Sequence, residues 1–442
     1  MDAELEKKRV AAGQRTGTVC IPASKSRAHR LLIMAALSGG PVELRCPGIS
    51  NDIQATMDCL RGLGYAVTQL GDDTIVVCRE CRDGADAANG QDAATDRILP
   101  CRDSGSTLRF MMPLAGALGT DVVFQMEGRL PERPLAPFDD ELRAHGMSIR
   151  REGSRLYCSG KLESGRYTLP GNVSSQYISG LLMSLPMLSG DSELIITGEV
   201  ESRDYINMTL DALRTAGIAV ESDEDTYRIG GGQSFNMPQK IMVEGDWSSA
   251  AFFLSLGALS EKGVTVKGVD RDSLQGDKAI LDVLKGFGAH VSFNIDSITV
   301  SHAPLSGQDI DASGIPDLVP VISVVAAAAD GTTTITGAAR LRLKESDRLK
   351  TTTAMLKALG ADITELEDSL IITGCGYKPA DKDRGSLLSG GCVDSARDHR
   401  IAMSAAVAAS ICRGDVFVTG PECVKKSYAS FWEDFEGMAL SR

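Results

Sequence analysis

Residues 121–128 read DVVFQMEG, a short β-branched run that a glycine closes, and this pattern recurs along the whole chain. The other copies are PVELRCPG (41–48), SELIITG (192–198), VTVKG (264–268), TTTITG (332–337) and DVFVTG (415–420). Ala- and Leu-rich segments with helical spacing precede these strands, and further helical segments that stop at a glycine follow most of them. Glycines that end helices and β-branched residues between helices therefore predict six mixed α/β units of about 70 residues.

The six units divide naturally as three plus three, which predicts two domains. The helix of the first unit lies in IPASKSRAHRLLIMAAL (21–37), and that of the fourth lies in VEGDWSSAAFFLSLGAL (243–259). We therefore expect one domain at 23–244 and a second made of 1–22 plus 245–442. The hydrophilic insertions at 80–97 and 377–391 are predicted to be surface loops.

Composition narrows the choice of partners and compartment. The 442 residues carry a formal net charge of −13 without a basic run of five, which argues against nucleic acid and anionic membranes as partners. No stretch of about 18 apolar residues could span a bilayer, and residues 1–14 lack the apolar core of a signal peptide. We expect a cytoplasmic protein that is a monomer.

The eleven cysteines favour free thiols in a reducing compartment over a disulfide framework, because their number is odd. The segment CREC (78–81) has no second CxxC to complete a metal site. A structural loop is therefore favoured over a metal site there, and the sequence predicts no metal ligands.

Hydroxyl-bearing and charged side chains gather where helices are predicted to begin. First helices open at Ser24–Arg30, Asp103–Arg109, Ser174–Gln176 and Asp398–Arg400, and second helices open at Arg133, Ser202–Tyr205, Lys344–Arg348 and Lys426–Ser427. A helix N-terminus presents unpaired N–H groups and a partial positive charge, so these positions predict anion sites. Ser and Asp are also ordinary N-caps, and that alternative stays open for each site alone. Cations such as Lys25, Arg348 and Arg400 do not fit it, because they oppose the helix dipole unless an anion compensates them.

Two acidic residues have a second interpretation. Asp317 follows Pro316 and precedes an apolar segment, where an isolated Asp is most often an N-cap. Glu345 lies close to Arg348, and such a pair is typical of a solvated helix face. From the residues alone, both alternatives remain open.

Eight segments resemble, in order and spacing, the motifs of the 5-enolpyruvylshikimate-3-phosphate synthase family. They are IPASKSRAHR (21–30), DSGSTLR (103–109), GRLPERP (128–134), NVSSQY (172–177), IPDLVP (315–320), LKESDR (343–348), ARDHR (396–400) and CVKKSY (423–428). The resemblance covers about residues 20–430. It implies two domains of three βαβαββ repeats each, with the active site in the cleft between them.

The resemblance also implies the reaction. The family transfers the enolpyruvyl (1-carboxyvinyl) group of phosphoenolpyruvate to the 5-hydroxyl of shikimate 3-phosphate and releases phosphate. This step belongs to the shikimate pathway to chorismate and the aromatic amino acids. It implies no metal and no organic cofactor.

Residue roles follow from the matched motifs. The resemblance implies that shikimate 3-phosphate is bound by Lys25, Ser26, Arg30, Ser174, Ser175, Gln176, Ser202, Tyr205, Asp317, Arg340 and Lys344. It implies that phosphoenolpyruvate is bound by Lys25, Gly105, Arg133, Gln176, Arg348, Arg400 and Lys426. Asp317 would be the base for the 5-hydroxyl, and Glu345 and Lys25 would move the proton at the methylene carbon. Arg340 stands where the family often has an Asn.

Two other functions remain open. The related transferase that acts on UDP-N-acetylglucosamine shares the sixfold architecture, but it has GAKN where this chain has SKS (24–26), and it carries a reactive loop Cys that GRLPERP (128–134) lacks. A non-catalytic protein that binds phosphorylated metabolites would need the cations but not Asp317 and Glu345. Phosphate release that requires both substrates would separate the three functions.

Overall fold

The computed structural model describes residues 6–79, 97–379 and 387–441. The chain divides into two compact units. We call Ala23–Val243 the central unit, and Met1–Pro22 together with Glu244–Arg442 the terminal unit. The second break precedes Glu244, whereas the sequence placed it after residue 244. Residues 80–96 of the first predicted loop lie outside the described residues.

The strands and helices of the described residues are as follows. The strands are β1 (Lys7–Val10), β2 (Gln14–Cys20), β3 (Val42–Arg45), β4 (Tyr65–Leu70), β5 (Thr74–Arg79), β6 (Ile98–Arg102), β7 (Val122–Met126), β8 (Met147–Glu152), β9 (Arg155–Gly160), β10 (Arg166–Pro170), β11 (Ser192–Thr197), β12 (Glu221–Asp223), β13 (Thr226–Ile229), β14 (Lys240–Met242), β15 (Val264–Lys267), β16 (His290–Phe293), β17 (Ser297–Ser301), β18 (Asp309–Asp311), β19 (Thr332–Thr336), β20 (Asp362–Glu365), β21 (Leu370–Thr373), β22 (Gly391–Asp394), β23 (Val416–Thr419) and β24 (Ala439–Ser441). The α-helices are α1 (Lys25–Leu37), α2 (Asn51–Gly62), α3 (Gly105–Leu118), α4 (Phe138–Ala144), α5 (Ser175–Ser184), α6 (Arg203–Thr215), α7 (Trp247–Ala258), α8 (Ile280–Phe287), α9 (Val319–Ala328), α10 (Arg348–Ala358), α11 (His399–Ala408) and α12 (Phe431–Glu436).

The sheets repeat one strand order. In the central unit the orders are β14-β3-β5-β4, β6-β7-β9-β8 and β10-β11-β13-β12. Each sheet joins one parallel pair to an antiparallel hairpin, as in β6 parallel to β7 and β7 antiparallel to β9. In the terminal unit, β18-β19-β21-β20 has the same order. These sheets confirm the predicted α/β repeat.

All six glycines that close the predicted strands have left-handed backbone angles. Their φ values lie between +56° at Gly128 and +87° at Gly268. An L-residue is strained in this region, whereas glycine enters it without a steric penalty. The glycine in each copy therefore turns the chain out of its strand toward the next helix.

The first repeat of each unit takes its leading strand from a distant part of the chain. In the central unit β14, near residue 243, pairs in parallel with β3. In the terminal unit β2, near the start of the chain, pairs in parallel with β15. In each unit, this strand lies next to a boundary between the two units in the sequence.

The sixth repeat departs from the predicted pattern. Among the described residues its sheet has three strands, in the order β1-β23-β22, and β1 supplies the antiparallel neighbour of β23. The strand after α12, β24, pairs with β2 instead. The antiparallel neighbour of β23 in this repeat is therefore β1, and β24 belongs to the sheet of the fourth repeat.

The helices that lead the repeats form the cores of the two units. Every residue of α9 is buried, and so is every residue of α11. A helix that is apolar on all sides is buried on all sides, and α7, α9 and α11 pack against one another. The residues at the first turns of these helices are consequently held in a rigid frame.

Two side chains in the described flanks of the predicted loop 377–391 belong to the core, whereas Lys378 and Ser389 are exposed. Tyr377 is buried and its hydroxyl donates to the Leu259 carbonyl at 3.2 Å. Leu388 is buried and bridges to Cys412. The hydrophilic composition of the segment gave no sign of these two buried side chains, and residues 380–386 lie outside the described part.

Among the helices of the described residues, none combines the length and the hydropathy that a membrane span requires.

Candidate active site

Asp317 is surrounded by cations within the terminal unit. Arg348 Nη1 donates to its Oδ1 at 2.7 Å, and Arg400 Nη2 donates to its Oδ2 at 3.0 Å. Lys344 Nζ lies 3.6 Å from Oδ1. Burial alone would raise the pKa of Asp317, but Arg400, Lys344 and Arg348 hold it well below its ordinary value. Asp317 is therefore ionised at neutral pH.

The interpretation of Asp317 as an N-cap is wrong. It lies in the 3₁₀ turn Pro316–Leu318, and Leu318 occupies the N-cap position of α9. The Asp317 carboxylate binds Arg348 and Arg400 instead of a backbone N–H of the helix. The turn aims the side chain at these two cations.

Arg348 is the most deeply buried cation of this group. It begins α10, and its side chain is 1% exposed. Its Nε donates to Asp398 Oδ2 at 2.7 Å and its Nη2 donates to Glu345 Oε2 at 2.8 Å. Burial opposes its charge, but Asp398, Glu345 and Asp317 raise the pKa of Arg348 above its ordinary value. The interpretation of Glu345 and Arg348 as a pair on a solvated helix face is therefore wrong. The sequence suggested that a bound anion compensates the charge of Arg348, whereas here carboxylates of the protein do so.

One guanidinium group thus holds both of the acidic residues to which the sequence gave catalytic roles. Arg348 binds Asp317 through Nη1 and Glu345 through Nη2. Asp398, which the sequence did not single out as a ligand, also caps α11 by accepting from the Arg400 N–H at 3.0 Å. We call Asp317, Lys344, Glu345, Arg348, Asp398 and Arg400 the Asp317 cluster.

Lys344 and Arg340 flank the Asp317 cluster on one short segment. Arg340 lies in the 3₁₀ turn Ala339–Leu343, and Lys344 ends that turn. Burial lowers the pKa of Lys344, and Arg348 and Arg340 add to this, while Asp317 opposes it. Arg340 Nη2 donates to the Ser313 carbonyl at 3.0 Å. The structure therefore places Lys344 beside Asp317, and Arg340 close enough to Lys344 to affect its pKa.

Two predicted helix starts are wrong. Arg133 follows the 3₁₀ turn Leu130–Glu132 in an extended conformation, and α4 begins only at Phe138. Pro134 explains this, because a residue before proline is disfavoured in helical geometry. Lys426 is buried at the end of the 3₁₀ turn Pro421–Lys426, which packs against α11, and α12 begins only at Phe431.

Gly105 makes room for two guanidinium groups in the central unit. It begins α3, behind the N-cap Ser104. A Cβ at Gly105 would lie 2.8 Å from Nη1 of Arg109 and 2.8 Å from Nη1 of Arg133. Arg133 Nε is buried and has no hydrogen-bond partner among the described residues. The absence of a side chain at Gly105 therefore leaves the space that the guanidinium groups of Arg109 and Arg133 occupy.

Gln176 connects α5 to α3 at this point. Arg109 Nη1 donates to Gln176 Oε1 at 2.6 Å, and Gln176 Nε2 donates to Ser106 Oγ at 2.9 Å. Arg109 had no assigned role, although it lies one helical turn after Gly105 in DSGSTLR, and that spacing was the available signal. We call Gly105, Ser106, Arg109, Arg133 and Gln176 the Gly105 cluster.

Lys25 has a buried carboxylate as its partner. It begins α1, and its Nζ lies 3.1 Å from Oδ2 of Asp52, which is 3% exposed in the first turn of α2. The Asp52 carbonyl in turn accepts from the Thr107 hydroxyl of α3 at 3.5 Å. The first turns of α1, α2 and α3 are therefore adjacent. Sequence reasoning missed Asp52, whose only signal was an acid in the first turn of a second helix.

Arg30 is a buried cation with neutral partners. It is 2% exposed, and Nε donates to the Thr209 hydroxyl at 2.7 Å while Nη2 donates to the Tyr205 carbonyl at 2.9 Å. Burial lowers the pKa of Arg30 to about 9. A bound anion would therefore stabilise its charge.

The remaining predicted ligands of the central unit lie at two helix starts. Ser174 is the N-cap of α5 and accepts from the Gln176 N–H at 3.3 Å, and Ser175 follows it. Ser202 occupies the N-cap position of α6 with φ +55° and makes no capping bond, and Tyr205 lies in the first turn. Ser26 lies in the first turn of α1. Ser174 is thus an ordinary N-cap. Ser202 has a left-handed backbone conformation, and its side chain does not cap the helix.

Each unit holds one part of the predicted residue set. The central unit contains Lys25, Ser26, Arg30, Gly105, Arg133, Ser174, Ser175, Gln176, Ser202 and Tyr205. The terminal unit contains Asp317, Arg340, Lys344, Glu345, Arg348, Arg400 and Lys426. Among the described residues, no three His, Cys, Asp or Glu side chains form a group that could hold a metal ion.

Comparisons with known proteins show the family of the chain. The family model for EPSP synthase (3-phosphoshikimate 1-carboxyvinyltransferase) matches residues 11–435. The chain belongs to the EPSP synthase family. A 3-phosphoshikimate 1-carboxyvinyltransferase of Clostridium kluyveri is 42% identical over 427 residues, which cover 96% of this chain and 95% of that protein. One from Clostridium perfringens is 40% identical and covers 96% of both chains.

Solved structures extend the likeness of this EPSP synthase family member to the fold. The EPSP synthase from Acinetobacter baumannii has a TM-score of 0.79 and 25% identity, with 98% of each chain covered. The enolpyruvyl transferase NikO from Streptomyces tendae has a TM-score of 0.74 and 18% identity, with 98% of each chain covered, which supports the fold alone. The predicted two-domain α/β fold and the family resemblance are confirmed.

Proposed function

We propose that this protein transfers the enolpyruvyl group of phosphoenolpyruvate to the 5-hydroxyl of shikimate 3-phosphate and releases phosphate, as a step of the shikimate pathway. One structural observation supports this proposal most directly. An ionised carboxylate, Asp317, lies among Lys344, Arg348 and Arg400, and Glu345 is held by the same Arg348. Membership of the EPSP synthase family supports the same reaction.

Binding follows from charge. Both proposed substrates carry a phosphate and a carboxylate, and arginine forks suit such groups. We assign shikimate 3-phosphate to the hydroxyls at Ser26, Ser174, Ser175 and Ser202, with the other residues predicted for it. We assign phosphoenolpyruvate to Arg133, Arg348 and Arg400, with Lys25, Gly105, Gln176 and Lys426. The residues assigned to each substrate therefore come from both units.

Chemistry starts at Asp317. It accepts the proton of the 5-hydroxyl while that oxygen bonds to C2 of phosphoenolpyruvate, and the Lys25 ammonium, or Glu345 in its protonated form, delivers a proton to C3. The double bond is lost and a tetrahedral intermediate forms. The bond between C2 and the phosphate oxygen then breaks, and the group that donated the proton takes one back from C3, which restores the double bond in the enolpyruvyl ether. Atoms and charge balance without an oxidant or a reductant.

The ligand-free pairing of Asp317 fits this sequence of events. Arg348 and Arg400 hold the pKa of Asp317 low. An anionic substrate competes for these same cations, so its binding draws positive charge away from the carboxylate. Asp317 then becomes a stronger base when the substrates are present.

A phosphate-release assay tests the proposal. Phosphate should appear only with both shikimate 3-phosphate and phosphoenolpyruvate. Release that requires UDP-N-acetylglucosamine instead would favour the related transferase, and binding of both metabolites without turnover would favour a binding protein. Both outcomes would overturn the proposal.

We further propose a cytoplasmic monomer that acts on small molecules and needs neither nucleic acid, membrane, metal nor cofactor. The net charge of −13 supports the first two exclusions. Size-exclusion chromatography with light scattering should give about the mass of one chain, and turnover should persist in EDTA.

A further inference from the structure

Asp277 is a buried acid outside the Asp317 cluster, and the proposed reaction does not use it. It lies in the 3₁₀ turn Gly276–Ala279 and is 3% exposed. The Ser248 hydroxyl donates to its Oδ2. Its Oδ1 is buried and has no hydrogen-bond partner among the described residues. An ionised carboxyl is costly in such a place, so its presence calls for a compensating use.

Asp277 and Asp317 lie in turns that pack against the same helix, α7. The turn that carries Asp277 and the turn that carries Asp317 both pack against this helix, whose first turn contains Ser248. The charged groups close enough to affect the pKa of Asp277 are Asp317, Arg400 and Asp246. Burial raises the pKa of Asp277 to about 6, and Asp317 raises it further, while Arg400 and the Ser248 hydroxyl oppose the rise. The carboxyl is therefore mostly ionised at pH 7.5 and changes charge just below neutrality.

We propose that ionised Asp277 is a positioning residue that keeps Asp317 basic enough to accept the proton of the acceptor hydroxyl. This inference rests on the role that the proposed function gives Asp317. Three cations make Asp317 a weak base, and a weak base transfers protons slowly. The repulsion between two carboxylates is mutual, so the charge of Asp277 increases the proton affinity of Asp317.

The consequence is a specific pH dependence. When Asp277 takes up a proton, Asp317 loses this support although it remains ionised itself. Turnover then falls on the acidic side near pH 6 because Asp277, and not the base, is titrated. A carboxylate with only a structural role would leave the profile unchanged.

Asp277→Asn tests the inference, because the amide keeps the shape and can still accept from Ser248. We expect kcat at pH 7.5 to fall roughly three- to thirtyfold, and the acidic fall in the profile between pH 5.5 and 7 to disappear. Asp282→Asn, an exposed acid on α8 that pairs with Lys285, is the matched control and should behave as the wild type. A normal kcat, or an acidic fall that persists in Asp277→Asn, would overturn the inference.

Ser248→Ala gives a second test that keeps Asp277. Loss of the hydroxyl raises the pKa of the carboxyl, so the acidic fall should move to higher pH. An unmoved profile in a folded Ser248→Ala protein would contradict the inference. Asp317→Asn separates the two levels: if it is inactive while Asp277→Asn is normal, only this inference fails, and if it is active, the proposed role of Asp317 fails.

Discussion

Arg400 holds Asp317 at two points. Its Nη2 donates to the carboxylate Oδ2 at 3.0 Å, and its Nη1 donates to the backbone carbonyl of the same residue at 3.1 Å. Both the side chain and the turn that carries it are thereby fixed. A base that must meet one hydroxyl proton benefits from such preorganisation, because little has to be rearranged during the reaction.

Asp317→Asn should separate catalysis from binding. The amide keeps the shape but cannot accept the proton, so turnover should fall by ~10²–10⁴ while affinity for shikimate 3-phosphate stays within about tenfold. Steady-state kinetics and calorimetry measure the two quantities. Asp309→Asn, an exposed acid on β18 of the same repeat, is the control and should leave both unchanged. Near-normal turnover in Asp317→Asn would remove this residue from the mechanism.

Gly105→Ala should weaken phosphoenolpyruvate binding. The new methyl group would lie 2.8 Å from Nη1 of both Arg109 and Arg133, so these guanidinium groups must shift. We expect KM for phosphoenolpyruvate to rise by about ten- to hundredfold, with little change in affinity for shikimate 3-phosphate. Gly40→Ala, where an added Cβ meets nothing within 4 Å, should have no effect. An unchanged KM in Gly105→Ala would show that the Gly105 cluster does not bind this substrate.

The sequence predicted the fold well where local chemistry decides it. The six closing glycines and the helices after Ser24, Ser104 and Asp398 were visible because turns and caps depend on neighbouring residues. The borrowed strand β1 of the sixth repeat was not visible, since its partner β23 lies at the other end of the chain.

The site shows the same division. Lys25, Glu345 and Arg348 stand in recognisable motifs, whereas their buried partners Asp52 and Asp398 have roles that appear only when distant helices pack. Lys25 pairs with Asp52 across two helices, and Arg348 pairs with Asp398 across two repeats. Periodicity and capping carry no information about such pairings. Asp277 escaped notice for the same reason, because its neighbours lie in separate turns.

Asp398→Ala should be strongly destabilising. Asp398 is fully buried, and it compensates Arg348 while it also caps α11. Its removal leaves a buried cation with less compensation, so the free energy of unfolding should fall by about 3–5 kcal/mol. Ser50→Ala removes only the N-cap of α2 and should cost about 1 kcal/mol. Urea unfolding measures both, and equal losses would mean that Asp398 acts only as a cap.

The stability of Asp277→Asn should depend on pH. The pKa of Asp277 is raised from 3.8 to about 6, so the folded state binds this proton more tightly than the unfolded state does. The stability that this proton gives is complete below pH 3.8 and is lost as the pH rises through about 6. The melting temperature of the variant relative to the wild type should therefore be higher at pH 7.5 than at pH 4. An equal difference at both values would contradict the burial of an ionised Asp277.

The central claim is that the cations of the Gly105 cluster and of the Asp317 cluster act in one enolpyruvyl transfer, with Asp317 as the base. Phosphate release is the most direct measurement, with each substrate alone, with both together, and with UDP-N-acetylglucosamine in place of shikimate 3-phosphate. We predict release only from phosphoenolpyruvate with shikimate 3-phosphate, together with one enolpyruvyl ether for each phosphate. Release from phosphoenolpyruvate alone, or release that depends on the UDP-sugar, would contradict the account.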